Sequence, residues 1–342
     1  MSLRFELPKP SIDARLLGAH RVSVLTDDDL FEAIGTRIAF TGRDGGVSNA
    51  PYASLNLGGH VGDDPGCVAQ NRVRVLEALG APDAPLVVPN QVHKTDVVLV
   101  GDSLGVQPPC ACDASSADGV ITEPAVRMVS GSSAACRAED PVDIREIAQA
   151  ANESAAAGCD ALVVRTAGIA ALLNFADCTP VIIVSPSGNF AIAHAGWRGA
   201  VAGVAGKAAR ALIQADIDAG FRIDPERADD DPFGSLAAAC NAYIGPHIQA
   251  ECFETGADVA QRFREAFPDS AQAVVPDDRH VDLSQAVVAD LLAAGLSLDR
   301  IFDTGICTMC NSSDYFSYRA EGGSCGRHGA VAIKMEDDFH DR

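Results

Sequence analysis

The stretch NFADCTPVIIVSPSGNFAIAHAGWRG, residues 174–199, decides how this chain folds. Two apolar runs, 180–184 and 190–195, flank Pro186, Ser187, Gly188 and Asn189, a turn-forming group, so the segment reads as a β-hairpin. With the turn centred between Ser187 and Gly188, cross-strand partner numbers sum to about 375. Cys178 then faces roughly Trp197 and His194 roughly Val181. Both polar side chains come to the open end of one hairpin, offset by about three residues, or about 10 Å along a strand. A bend at Thr179 and Pro180 would close that gap.

Outward from the hairpin, CDALVVR, IAALLNFADC, AAACNAYIG, RIFDTGI and AVAIK are further short apolar runs between turn residues, and they read as strands. RIAFT, from Arg37, and residues 96–100 add two more. The segment from Cys307 to Tyr318 is rich in Cys and Tyr and also reads as strand-like. Helical spacing predicts helices over 66–79, 144–151, 199–215, 254–267 and 284–295. Asp27, Asp28 and Asp29 suggest a turn or helix cap. Many strands are linked only by turns, which favours α/β (α+β) architecture over a regular βαβ winding. The expectation is a single mixed-sheet domain. Residues 1–36 form an N-terminal extension, 101–157 an insertion and 336–342 a tail.

Length and composition are consistent with this. The 342 residues are 47% hydrophobic and 21% charged, ample for a core. Twenty-six basic against 47 acidic residues give a net charge of −21. That field repels a phosphate backbone or an anionic membrane, so neither nucleic acid nor membrane is an expected partner. An anionic substrate would need a local cationic pocket. No apolar run is long enough for a transmembrane helix, and Lys9 and Pro10 interrupt any signal-like N-terminal stretch. Eleven cysteines, an odd number without a framework spacing, point to free thiols and a cytoplasmic setting.

Several common chemistries lack their motifs. The chain has no G-x-G-x-x-G, no complete P-loop, no H-E-x-x-H, no G-x-S-x-G, no His-x-Glu and no His-x-His. Eight histidines, none so paired, fit poorly with a multi-copper site. A thiolate and an imidazole at one strand end do suit a single zinc or copper ion, and a catalytic zinc wants a third protein ligand. His93, in NQVHK among Asn90, Gln91 and Lys94, is the first candidate, and His60 the second. Arg198 and Arg319 could grip an anion bidentately. Cys307-x-x-Cys310 could be a metal knuckle or a redox pair, but with no second such pair in the sequence it is read as structural or incidental.

The ordered segments TGRDGGVSNAPYASLNLGGHVGDD, NQVHKTD, CDALV, NFADCTPVII, AIAHAGWRGA, IGPHIQAECFETG and CTMCNSSDYFSYR resemble the YfiH-type family, also called the multicopper polyphenol oxidase or laccase-domain family. The resemblance implies that the sheets are layered, flanked by helices and span 37–335. It also implies a zinc, with copper as the alternative, held by His93, Cys178 and His194, which would also be the catalytic residues. It further implies phosphorolysis of adenosine, guanosine or methylthioadenosine, and adenosine deamination. The partners would be a purine nucleoside and phosphate, with the chain a monomer or weak homodimer. Arg198, Lys94 or Arg319 would place the phosphate. Asn56, Gln91 and Asp177 would line the pocket, and Phe175, Trp197 or Tyr318 would stack on the purine. Ala320 stands where the family usually has a second Arg after SYR. Three other readings remain: a Cys–His hydrolase of muropeptides with Cys178 as nucleophile, a copper oxidase of phenols, and a scaffold whose structural zinc takes His60 as fourth ligand.

Overall fold

The structure is a computed structural model that describes residues 6–101, 126–129, 143–224 and 230–336. Most of the 101–157 segment therefore lies outside the described residues. In chain order the strands are β1 (Asp13–Leu17), β2 (Val22–Thr26), β3 (Thr36–Thr41), β4 (Leu86–Val87), β5 (Val97–Val100), β6 (Val126–Val129), β7 (Ala161–Val164), β8 (Ala170–Phe175), β9 (Thr179–Val184), β10 (Phe190–Ala195), β11 (Asn241–Ile244), β12 (Ile301–Asp303) and β13 (His328–Lys334). They form two mixed sheets. One has the order β1-β2-β3-β13-β8-β4, the other β12-β11-β9-β10-β7-β5-β6.

The sheets stack face to face, and alternation assigns each residue to a layer. Ile182, Val184, Phe190 and Ile192 meet Ile38, Phe40, Leu173 and Ala332 of the other sheet. The alternate residues Val181, Ile183, Ala191 and Ala193 face the helices instead, among them Ala208, Ala209 and Leu212 of Val204–Asp218. Both faces of β9 and β10 are thus buried, which is why these strands read as unbroken apolar runs. The helix Pro65–Ala78 covers the outer face of the first sheet through Val75, against Val24, Leu172 and Val331.

Several local expectations change in three dimensions. The segment before Asn241 is not strand but the helix Pro232–Ala239, begun by the Asp231 side chain accepting from Gly234 N with Pro232 in the first turn. The expected 199–215 helix is two helices, Trp197–Val201 and Val204–Asp218, separated at Gly203 (φ 73°). The Cys- and Tyr-rich segment after Ile306 forms successive turns rather than a strand. Asp27 is the N-cap of the helix Asp28–Ile34, and β1 and β2 extend the first sheet ahead of Arg37.

His328, at the start of β13, is fully buried, stacked near Phe175 and edge-on to Tyr315. Burial disfavours its charged form and pushes it down to about 3. The unfolded chain takes this proton near pH 6.5, the folded chain only near 3. The stabilisation is therefore fully present above about pH 6.5 and is lost as pH falls toward 3, at up to about 1.4 kcal/mol per pH unit. His328→Leu is expected to flatten the acid limb of a urea-unfolding series between pH 6.5 and 4. An unchanged slope would show that His328 does not carry it.

Candidate metal centre

The hairpin register places the first two donors. Phe190 pairs with Val184 and His194 with Pro180, so partner numbers sum to 374 rather than 375. The cause is an odd, three-residue loop: Ser185 N donates to Asn189 O, and Gly188 adopts the left-handed conformation such loops require (φ 80°). One residue matters because side chains alternate between faces. On this register Cys178 lies across from Gly196, two residues from His194, so both fall on the face turned toward the other sheet. The centre sits at the open end of the inter-sheet layer.

The third donor, His93, comes from the loop between β4 and β5. The Nδ1/Nε2 and Sγ atoms of His93, Cys178 and His194 lie within 4.8 Å of one another. The two rings are edge to face, 4.8 Å apart. His194 is buried, Cys178 half-buried and His93 exposed, so the centre opens to solvent on the His93 side.

Asp160 holds this arrangement. It lies directly across from His194 on the β7–β10 ladder, one residue before β7, and its carbonyl accepts from His194 N at 2.8 Å. Its carboxylate accepts from His194 Nδ1 (3.1 Å) and from three consecutive backbone N–H groups, those of Val92 (3.2 Å), His93 (2.9 Å) and Lys94 (2.7 Å). One buried carboxylate therefore orients one donor ring and shapes the loop carrying another. With Nδ1 as the donor to Asp160, Nε2 of His194 presents its lone pair toward Cys178. Burial works to raise the Asp160 carboxyl; His194 and the backbone donors outweigh it and hold it below the usual range.

Backbone strain marks the same place. Of the non-glycine residues with positive φ among the described residues, two border the centre: His93 (59°) and Asp177 (83°). Asp177 is fastened in that conformation by Thr308 Oγ1 and Arg319 N, each donating to its carboxylate at 2.7 Å, and by Ile248 N donating to its carbonyl at 3.0 Å.

Charge is arranged for metal binding. Burial opposes the Cys178 thiolate, but the adjacent His194 and His93 rings outweigh it and draw the thiol down. Burial favours neutral His194, while Cys178 and Asp160 push the ring above its ordinary value. Without a metal the pair is thus biased toward thiolate and imidazolium. One thiolate and two imidazoles form a donor set suited to zinc or copper.

Gly196 tests whether an ion has room. A Cβ there would stand 3.0 Å from His93 Cδ2, 3.1 Å from Cys178 Sγ and 3.6 Å from His194 Cε1, in the middle of the three donors. Its φ of −65° and ψ of 165° suit any residue, so glycine is needed here for space and not for conformation. The residues fit a metal. Gly196→Ala is expected to leave the fold intact and weaken metal binding at least about tenfold, the scale of perturbing a ligand's support. Chelator competition on the purified variant would check this; wild-type affinity would refute it.

The other expected site residues distribute unevenly. Lys94 and Arg198 are exposed and form no ion pair with a described residue, and the Arg198 guanidinium lies 4.3 Å from the Trp197 ring centre. Arg319 donates to Glu254 O and lies over Phe253. Tyr318 is exposed. Three residues expected at the substrate are engaged inside the protein. The Gln91 side-chain amide exchanges two 2.9 Å hydrogen bonds with the backbone of Asn174, acting as an extra strand partner. Asn56 is fully buried and bonds Gly58, Asp63 and Arg327 N. Phe175 is buried and packs on His194, 5.2 Å between ring centres, so it supports a donor rather than facing a ligand. His60 belongs to neither metal-type donor cluster among the described residues. A cleft of about 870 Å³ lined by Arg15, Phe31, Arg37 and Ile333 contains none of the three donors.

Sequence reasoning missed Asp160 and Gly196. Asp160 lies inside the CDALV segment, where a carboxylate one residue before a fully apolar strand was the available signal.

Fold and centre together define a class: a two-sheet α/β sandwich with a Cys–His–His donor set at one end of its inner layer. The chain belongs to the family described as multi-copper polyphenol oxidoreductase laccase, whose model matches residues 37–139, 139–222 and 227–335. It is 32% identical over 284 residues to "Purine nucleoside phosphorylase ORF3" of Streptomyces griseus, covering 83% of this chain and 88% of that one. It is 30% identical over 281 residues to "Adenosine deaminase RL5" of an unknown prokaryotic organism, covering 81% and 85%. Among solved structures, the hypothetical protein YfiH of Bacillus licheniformis superposes with a TM-score of 0.68 at 22% identity, over 94% of this chain and 99% of that one. YlmD of Geobacillus stearothermophilus gives 0.66 at 26%, over 94% and 100%. No helix among the described residues is long and apolar enough to cross a membrane.

Proposed function

We propose that this chain is a zinc-dependent purine nucleoside enzyme that cleaves nucleosides with phosphate and deaminates adenosine. The observation that carries the reading is the cleared space between His93, Cys178 and His194, with His194 oriented by Asp160. The names of the relatives at 30–32% identity give the substrate class. His93, Cys178 and His194 would hold the ion, which supplies a Lewis acid when bound. The remaining work falls to the chain. In phosphorolysis a phosphate oxygen bonds to the ribose anomeric carbon as the bond to the purine nitrogen breaks, and positive charge develops on the sugar. A chain of net charge −21 must attract phosphate locally. Lys94, next to His93, and Arg198, two residues after Gly196, are the exposed cations flanking the donors. Trp197 is half-buried against the helix-side core with Arg198 over its ring, so Arg198 would have to swing away for that face to stack on a purine.

One observation favours a second reading. The thiolate and imidazolium bias of Cys178 and His194 also describes a nucleophile and its acid–base partner in a metal-free Cys–His hydrolase.

The deciding experiment measures metal content and nucleoside turnover on one purified sample, with and without phosphate. The expected result is adenine from adenosine only when phosphate is present, inosine without it, and loss of both on chelation. Full turnover by metal-free protein, or no turnover of any purine nucleoside, would overturn the proposal.

A further inference from the structure

A second donor cluster lies outside the centre described above. The crossing of two loops brings Cys252, from the turn after Ile248, against Cys307 and Cys310, the two cysteines of the C-x-x-C turn after β12. One Glu251 carboxylate oxygen and the three sulfurs lie within 4.8 Å of one another. The Cys252 and Cys310 sulfurs are 3.4 Å apart. A tetrahedral ion with bonds of about 2.3 Å to sulfur needs donors roughly 3.8 Å apart, so the cluster reaches that geometry by small side-chain rotations.

The surroundings resemble those of a thiolate ligand rather than of packed thiols. Cys307 is buried, and its sulfur accepts from Gln249 N at 3.5 Å. Cys310 is exposed and Cys252 half-buried, leaving a path for an ion to enter. The crossing is otherwise held by a short parallel bridge between His247 and Cys307, with His247 N donating to Ile306 O and Thr308 N to His247 O.

We propose that Cys252, Cys307 and Cys310, with Glu251 as fourth ligand, form a second, structural zinc site. The closed donor set of three soft thiolates and one carboxylate selects zinc over the hard cations. Its place in the fold gives it a task. The two loops it joins carry Ile248 and Thr308, which fasten Asp177 in its left-handed conformation immediately before Cys178. Zinc at the crossing ties these fastenings together beneath the first centre.

The test counts zinc per chain in the full-length protein, purified under reducing conditions, for wild type, Cys178→Ser, Cys310→Ser and the double variant. About two ions are expected in wild type, about one in each single variant and none in the double. Cys310 is exposed, so its serine variant is a mild change. A second readout needs no variant: in wild-type protein, alkylation of Cys252 and Cys310 is blocked until a chelator removes the zinc. Full zinc content in Cys310→Ser overturns the proposal. So does recovery of a Cys252–Cys310 disulfide from chain alkylated at lysis, which would make the pair redox-active. If Cys178→Ser keeps all its zinc while Cys310→Ser loses it, this site stands and the zinc reading of the first centre falls.

Discussion

Replacing Cys178 with alanine is expected to abolish nucleoside turnover and to remove the ion held by the centre. Cys178 contributes the only sulfur among the three donors, and its thiolate charge offsets the cation. Two imidazoles remain, one of them on an exposed loop, and that is too few for a stable catalytic site. A rate loss of at least about 10³-fold follows, or about 4 kcal/mol of lost transition-state stabilisation. The folded chain should persist, since the change removes one half-buried sulfur from a rim position. Cys67→Ser is the control, because Cys67 lies in the first turn of Pro65–Ala78 and in neither donor cluster. Steady-state kinetics and elemental analysis of both variants decide the point. A Cys178→Ala enzyme that turns over normally would exclude Cys178 from the chemistry.

The second large effect is expected from Asp160→Asn, at a residue that touches no substrate in the proposal. Oδ1 accepts from His93 N and His194 Nδ1, and Oδ2 from Val92 N and Lys94 N. Asparagine has one acceptor oxygen. Whichever way its amide is turned, its NH₂ group faces two donors and leaves them unpaired. A fully buried orphan costs about 1–3 kcal/mol, so two part-buried ones give a loss of up to about 2–6 kcal/mol in unfolding free energy. The His194 ring also loses the anion that fixes its tautomer, and metal affinity should fall about 10- to 100-fold. Urea unfolding of the apo-protein and a chelator-competition titration separate the two losses. Unchanged stability together with unchanged affinity would show that Asp160 is not the organiser of the centre.

Cys178, His194 and His93 were legible as ligand candidates because their residue types are chemically restricted and two of them end one recognisable hairpin. The roles of Gln91, Asn56 and Phe175 were not. An amide bonding a strand backbone, an amide buried in a loop and a ring packed beneath a histidine look the same in sequence as pocket residues. The hydrogen-bond partners of the two amides lie up to 271 residues away, as for Asn56 and Arg327.

By itself the sequence pointed to a mixed-sheet α/β class, since most of its unbroken apolar runs joined by short turns are strands buried on both faces, while the layering of the sheets was implied by the family resemblance. It also determined the donor types available at the hairpin end. Tertiary structure alone decided three things. A three-residue loop, not a two-residue one, set the register parity that turns Cys178 and His194 to one face. The β7–β10 ladder brought Asp160 beside His194, across 34 residues. The crossing of two loops placed Cys252 against Cys310, across 58 residues. Local periodicity records which face of its own element a residue occupies, whereas which distant residue stands opposite depends on how all the layers close together.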